Sequence, residues 1–288
     1  MDYYLNMAPK NINFKLLSLN ARGIRSFEKR KALFGWLMKN NADICFLQEL
    51  LEVENVWKSQ WKGEMFFSHG TVHSKGVLIL IKNNLEFELK SSKIDKDGRF
   101  IFIEAKVQEY PFLFVNLYAP NKTNEQLTFF EEIREELDNC CLEEDCNIVI
   151  SGDFNAIFDP DLDGNGGNPK RKESVKNIES ICIINDLVDI WRVRNPKKKR
   201  FTWHQKTPVI QRRLDYWLVS SGMQEDIDNA DVIPSLKSDH STIVLSLNGI
   251  ENGPRGPSHW RLNSSLLDDK EDEGKRAKVK NGNFRVKT

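Results

Sequence analysis

A chain of 288 residues with 40% hydrophobic content carries enough apolar surface for one large α/β domain or two small ones. Its 42 Lys and Arg balance 42 Asp and Glu, so the average charge directs it to no polyanion, and a nucleic-acid surface has to come from charge segregated along the chain. The five cysteines, Cys45, Cys140, Cys141, Cys146 and Cys182, form no C-x-x-C pair and have no His at zinc-ligand spacing, and they read as reduced thiols of an intracellular protein. Residues 1–11, beginning MDYYLNMAPK, lack the apolar stretch of a secretion signal and read as a disordered lead. No run approaches the ~18 apolar residues of a membrane span, so neither secretion nor a membrane partner is expected, and the sequons at Asn121 and Asn263 carry little weight.

From Phe14 onward, short β-rich apolar runs alternate with a few helical patterns. FKLLSL reads as a strand, and Leu33, Trp36 and Leu37 have helical spacing. DICFLQ, VLILI, FIFIEAKV and FLFVNLYA follow as strands. Leu127, Phe130, Ile133, Leu137 and Cys141 mark a second helix, capped by Thr123 or Asn124 with Glu125 in its first turn. NIVIS is the next strand, and Val175, Ile178 and Cys182 mark a third helix. FTWHQKTPVIQRRLDYW predicts a hairpin turning between about Gln205 and Gln211, with LDYWLVS and TIVLSL closing the domain. Strands apolar on both faces need cover on both sides, which predicts a four-layer α/β sandwich of two packed mixed β-sheets flanked by helices over residues 12–248. Residues 249–288 turn Gly/Pro-rich and then densely charged, and read as a linker and mobile tail.

Polar residues that a core strand avoids stand at the ends of these runs, where sites are built. Asn20 ends FKLLSLN, Glu49 ends ICFLQE, Tyr118 and Asn121 end FVNLYAPN, and Asp153 and Asn155 end NIVISGDFN. Asp215 opens DYWLVS, and Asp239 with His240 precedes STIV. Asp153 and Asn155 are two apart and share a side if the segment is extended, while adjacent Asp239 and His240 share a site only if SDH is a loop. Taken singly, each has a plainer reading: Glu49 and His240 as solvated loop residues, Asp215 as an ion-pair partner of Arg212 or Arg213. As a set they suit phosphodiester hydrolysis, in which a carboxylate-held Mg²⁺ neutralises a phosphate oxygen and a second carboxylate activates water. Amide, phenol and imidazole donors would then stabilise the developing charge.

LNARG, FLQE, SKGVLILI, VNLYAPN, SGDFN, FTW, LDYWLVS and SDHS, in this order from about Phe14 to Leu247, resemble the endonuclease/exonuclease/phosphatase superfamily of DNase I-like fold. Within it, LNARG, YAPN, FTW and DYWLVS resemble the endonuclease domain of LINE-type (non-LTR) retrotransposons, akin to apurinic endonucleases. The resemblance implies that Glu49, with Asn20 nearby and Asp239, holds Mg²⁺, for which Mn²⁺ could substitute. It implies that Asp153 deprotonates the attacking water, Asn155 holds the phosphate, and Tyr118 and Asn121 contact phosphate or steady the leaving group. His240, oriented by Asp215, would donate to a phosphate oxygen. No organic cofactor is implied. GPSHWRLNSSLLDD resembles the segment leading towards a reverse transcriptase, which implies such a partner in a parent polyprotein. Two positions depart from the pattern: Arg22 stands where apurinic endonucleases carry an acidic residue, and Leu50 where the retrotransposon domains carry a small polar one.

Between Lys170 and Arg213 thirteen Lys/Arg face four Asp/Glu, a local excess of 13 − 4 = 9 positive charges in a neutral chain. Lys198, Arg200, Lys206, Arg212 and Arg213 are expected to contact double-stranded DNA, with the hairpin entering a groove. The resemblance to the LINE-type domains implies that this hairpin influences target choice, with Thr202 near the target nucleotide. Binding through such residues weakens with salt by a slope of about −0.9 per phosphate contact. PKKKR also reads as a weak nuclear import signal, which leaves the nucleus and the cytoplasm as compartments. DPDLDGNGG starts like a calcium loop, but its twelfth position is Lys170, and the glycines lack dinucleotide-cradle order. The expected protein is a monomeric Mg²⁺-dependent endonuclease nicking one DNA strand to leave a 3′ hydroxyl. An apurinic repair nuclease or other phosphodiesterase of the fold, and an inactive DNA-binding remnant, are the alternatives.

Overall fold

Residues 13–51, 55–70, 75–140 and 145–248 are described in the computed structural model. The expected lead and tail lie outside the described residues, as do Cys141 and Asn263. In chain order the elements are β1 (Asn13–Asn20), α1 (Phe27–Lys39), β2 (Ile44–Gln48), β3 (Gly63–Ser68), β4 (Val77–Lys82), β5 (Phe87–Ile94), β6 (Phe100–Val107), β7 (Tyr110–Tyr118), α2 (Thr123–Asn139) and β8 (Asn147–Asp153). They continue as α3 (Pro160–Asp163), β9 (Gly164–Asn165), α4 (Val175–Ile184), β10 (Leu187–Asp189), α5 (Ile190–Arg194), β11 (Trp203–Gln205), β12 (Ile210–Arg212), β13 (Asp215–Ser220), β14 (Ile227–Ile233) and β15 (Thr242–Asn248).

Two six-stranded mixed sheets, ordered β14-β15-β1-β2-β4-β3 and β10-β13-β8-β7-β6-β5, pack face to face, and β11-β12-β9 form a small third sheet. Alternate residues of the central strands separate into different cores. Phe14, Leu16, Phe46, Phe112, Phe114, Val149 and Trp217 fill the space between the sheets. Leu17, Leu19, Cys45 and Leu47 meet α1 residues Leu33, Phe34 and Leu37, and Leu113, Val115, Ile148 and Ile150 meet Phe129, Phe130 and Ile133 of α2 and Val175 and Ile178 of α4. That double coverage is why the runs read as continuously apolar, and it makes the chain the expected four-layer sandwich. Across the seam Phe46 meets Trp217 edge-on at 5.4 Å and Phe14 meets Phe112 at 5.5 Å, each pair adding about 0.5–1.5 kcal/mol beyond area burial.

Several local readings change. Helix α2 begins at Thr123 with Lys122 as its N-cap and no side-chain cap bond, so neither Thr123 nor Asn124 caps it. Its core face carries Gln126 and Phe129 where the spacing put Leu127, because Gln126 is drawn inward by backbone acceptors. The predicted hairpin pairs only β11 with β12; after Arg212 the chain leaves for the large sheet, where β13 runs beside β8. Cys45, Cys140, Cys146 and Cys182 are free thiols.

Candidate active site

Along the inter-sheet face the side chains turn from apolar to polar towards one end. On β1 the series Phe14, Leu16 gives way to Ser18 and Asn20; on β2 Ile44 and Phe46 give way to Gln48; on β7 Phe112 and Phe114 to Asn116 and Tyr118; on β8 Val149 to Ser151 and Asp153. Buried polar groups need partners. Gln48 Nε2 donates to Ser18 Oγ at 3.0 Å and to Asn116 Oδ1 at 2.7 Å, and Asn116 Nδ2 donates to the Leu47 and Leu78 carbonyls. This network ties the two sheets together directly beneath the cleft.

Strand register then gathers the reactive groups. Tyr118, Asp153 and Asp215 are neighbours in one cross-strand row of the second sheet, and Asn20 is level with Gln48, the residue before Glu49, in the first. Gly152 makes this row tight: a Cβ there would lie 1.9 Å from the Leu117 carbonyl oxygen. Asn20 Nδ2 bridges the seam to Asp153 Oδ2 at 2.9 Å. The result is a cleft of about 350 Å³ lined by Asn20, Arg22, Glu49, Tyr118, Asn121, Asp153, Asn155, Trp203, Leu214, Asp239 and His240. Residues scattered over more than 200 positions of sequence therefore share one cavity.

Within it, His240 Nδ1 lies 2.9 Å from Asp215 Oδ2 and Nε2 lies 3.8 Å from Asp153 Oδ2. Burial alone lowers the imidazole pKa, but the Asp215 carboxylate and its hydrogen bond, with Asp153 and Asp239, raise it to about 9. Asp153 moves up as well, because burial and the Asp215 charge outweigh His240 and the hydrogen bonds from Asn20 and the Asn155 N–H. Burial also raises the Tyr118 phenol, helped by the charges of Glu49 and Asp153 and by its hydrogen bond to Glu49. Asp239 and His240 sit on an irregular segment, as sharing one site requires. Asn155 reaches the cleft differently from the extended geometry expected of it. Its φ is +48°, its N–H closes a turn on Asp153 Oδ1 at 2.9 Å, and its Nδ2 donates to the Ala119 carbonyl at 2.8 Å. Arg22 and Glu49 are likewise left-handed, with φ of +48° and +53°. Such strain persists only where the surroundings hold it, and here Gly23 N–H donates to the Glu49 carbonyl at 2.6 Å while Lys29 Nζ donates to the Ala21 and Arg22 carbonyls.

Among the described residues two groupings have the chemistry to hold a cation. Asp153, Asp215 and His240 each offer an atom within 4.8 Å of the others. Asp215 is, however, already hydrogen-bonded to His240, and Asp153 to Asn20 and the Asn155 N–H, by bonds that an ion would displace. Glu49 and Asp239 face the cleft instead, and Asp239 Oδ1 is buried without a hydrogen-bond partner, the kind of orphaned oxygen a hard divalent cation satisfies. Asp239 Oδ2 is held by Trp203 Nε1 at 3.1 Å and by the Arg22 guanidinium.

The surface residues divide. Lys198, Arg200 and Lys206 are exposed. Arg212 is half-buried and spends its guanidinium on the carbonyls of Asn165, Gly166 and Gln211. Arg213 is interior: 2% exposed, it pairs with Asp163 at 2.7 Å and Asp189 at 2.7 Å, so it is a scaffold cation and not a DNA contact. Asp163, the third acid of the calcium-like run, is thereby committed. Thr202 is also buried; its Oγ1 accepts from the Leu214 and Asp215 N–H groups and its carbonyl from Ser241, bracing the row that carries Asp215 and the SDHS segment. Sequence reasoning missed Trp203, Gln126 and Lys172. Gln126, fully buried, donates to the carbonyls of Pro120, Phe154 and Asn155. Its only signal was a polar residue on an otherwise apolar helix face.

The sequence matches the Endonuclease/Exonuclease/phosphatase family over residues 11–240. It is 29% identical over 259 residues to the "Transposon TX1 uncharacterized 149 kDa protein" of Xenopus laevis, covering 88% of this chain and 19% of that one. It is 24% identical over 176 residues to the "DNA-(apurinic or apyrimidinic site) endonuclease 2" of Schizosaccharomyces pombe, covering 54% of this chain and 33% of that one. The chain thus spans a fifth to a third of these two relatives, whereas the exodeoxyribonuclease of Bacillus subtilis, 23% identical, is covered over 99% of its length. The fold is shared with AP endonuclease LMAP from Leishmania major, at TM-score 0.67 and 16% identity over 82% of this chain and 88% of that one. It is shared also with an AP endonuclease from Archaeoglobus fulgidus, at TM-score 0.64 and 20% identity over 81% and 99%. With matched sequence, DNase I-like architecture and a cleft of acids, amides and a carboxylate-bound histidine in agreement, this chain belongs to the endonuclease/exonuclease/phosphatase family.

Proposed function

We propose that the chain is a Mg²⁺-dependent endonuclease that hydrolyses one strand of duplex DNA and leaves a 3′ hydroxyl, the end a retrotransposon needs for target priming. The observation that carries this reading is the Asp215–His240–Asp153 chain facing Asn20 and Glu49 across the sheet seam. A bound Mg²⁺, or Mn²⁺ in its place, would be held by Glu49 and Asp239 and would supply Lewis-acid neutralisation of a phosphate oxygen. Asp153, raised towards neutrality by burial, takes the proton of the attacking water. His240, kept cationic by Asp215, donates Nε2–H to the phosphate oxygen where charge builds. Asn155 and Asn121 hold the phosphate through side-chain N–H groups, and the Tyr118 phenol steadies the leaving oxygen. Asn20 orients Asp153 through their hydrogen bond.

Duplex DNA is taken as substrate because exposed Lys198, Arg200 and Lys206 lie in the basic segment, and the Lys206–Val209 turn carries an exposed Val209. Arg22 in place of an acid argues against abasic repair as the main role. Similarity to a fifth of the length of a transposon protein supports a longer parent polyprotein. Supercoiled plasmid incubated with the purified chain and Mg²⁺ should convert to open circles with 3′ hydroxyl ends, and EDTA or Glu49→Ala should stop the conversion. Undiminished cutting by Glu49→Ala, or cutting confined to plasmid with abasic sites, would overturn this reading.

A further inference from the structure

Two loops carry the amides that face the cleft, Asn121 after β7 and Asn155 after β8. A single ammonium joins them. Lys172 Nζ donates to the Asn121 carbonyl at 2.7 Å and to the Asn155 carbonyl at 2.7 Å. Gln126 reinforces the same seam from below, donating to Pro120, Phe154 and Asn155 carbonyls while its Oε1 accepts from Ser174 Oγ at 2.7 Å. Lys172 thus comes from the basic segment but points inward, half-buried, with uncharged acceptors; among the described residues no carboxylate lies within ion-pair distance of it. Burial lowers its pKa and the charge of Asp153 draws it back. An ammonium solvated by carbonyls and unmatched by an acid is costly to bury unless an anion arrives beside it.

We propose that Lys172 is a positioning residue of the cleft: by clamping the Asn121 and Asn155 carbonyls it aims their side-chain amides at the scissile phosphate. Asn155 illustrates the need. One N–H of its amide is spent on Ala119, so the orientation of the whole side chain, which the held carbonyl helps to fix, decides where the other N–H points. A solvated surface lysine, by contrast, would contribute to DNA affinity and to its salt dependence without affecting the chemical step.

This inference rests on the nuclease reading, and the two fail differently. If the wild-type chain does not nick plasmid with Mg²⁺, the nuclease reading fails; if it nicks and Lys172 is dispensable, only the present inference does. Single-turnover nicking at saturating plasmid should slow by roughly 10- to 100-fold in Lys172→Met, the range that misplacement of a bound group costs. Plasmid affinity, its salt slope and the melting temperature should stay near wild type. Lys172→Arg, which keeps the charge and both donors, should recover most of the rate. Because Lys172 acts through Asn155 as well as Asn121, Lys172→Met should cost clearly less rate in an Asn155→Ala background than in the wild type. A wild-type rate in Lys172→Met, or a loss that appears as weaker binding with a shallower salt slope, would overturn the assignment. If Lys172→Met melts early, Lys172→Arg and the double variant decide: multiplicative losses in the double variant would equally overturn it.

Discussion

Two buried charge networks meet at the start of β13, one built on Arg213 and the other on Asp215, and they are composed differently. Around Arg213 stand Asp163, Asp189 and, through Asp163, Arg192, so two guanidiniums face two carboxylates. Arg213 also lies over the Tyr216 ring at 4.4 Å and the Trp191 ring at 5.2 Å. Around Asp215 stand His240 and Asp153, two carboxylates with one imidazole, and Asp215 Oδ1 is left without a hydrogen-bond partner. The first network is internally balanced, each carboxylate paired with a guanidinium. The second is short of positive charge, borders an open cleft, and carries pKa values displaced in the directions that proton transfer requires. Burial of charge is therefore not the mark of a site; burial combined with imbalance and access is.

Asp153→Asn should separate the two most sharply. Nicking at saturating DNA should fall by about 10²- to 10⁴-fold, the range for losing a general base. Stability should hold or rise: folding raises the Asp153 pKa, so stability falls as pH climbs from the ordinary carboxylate value to the raised one and stays lower above it, and a neutral amide removes the penalty. A lower melting temperature with the rate kept would reverse the contrast. In the balanced network Asp163→Ala should cost about 3–5 kcal/mol of unfolding free energy, because it leaves buried Arg213 with Asp189 alone and takes from Arg192 its carboxylate partner. Denaturant titration gives the number, and wild-type stability would show that the network is not the scaffold described.

The smallest expected effect is on pH dependence. His240 is held near 9 by Asp215, so the cationic donor is present below that pH and lost as pH rises through it. Asp215→Asn removes the stabilising charge and should move the alkaline limb of the pH–rate profile downward. It should move the acid limb downward too, since Asp215 is one of the causes of the raised Asp153 pKa. A limb that stays put would detach His240 from the rate.

The cleft was legible in the sequence because its residues end central strands whose other positions are apolar, and a polar side chain there has no packing role to compete with a chemical one. Asn20, Tyr118, Asp153 and Asp215 all stood out for that reason. The edge strands did not. FELKSSKI of β5 is exposed along nearly its whole length and IDNADVI of β14 alternates, so neither carries a continuous apolar signal. Charge counting also misplaced Arg213, because the acids that take it inside, Asp163 and Asp189, lie far away in sequence. Trp203, Gln126 and Lys172 owe their roles to acceptors supplied by other segments, and Thr202 to the N–H donors of Leu214 and Asp215. Leu50, a departure from the expected motif, is simply buried in the core on the α1 side.

Asn20 belongs to one sheet and Asp153 to the other, so the jaws of the cleft are two slabs held apart by the rings of Phe46, Trp217, Phe14 and Phe112. The aperture is then a bulk property of the sandwich. Trimming one of those rings, or compressing the protein hydrostatically, alters the width of the cleft without touching a reactive atom, whereas the exposed turn from Lys206 to Val209 is free to drift in sequence while the jaws keep their gauge.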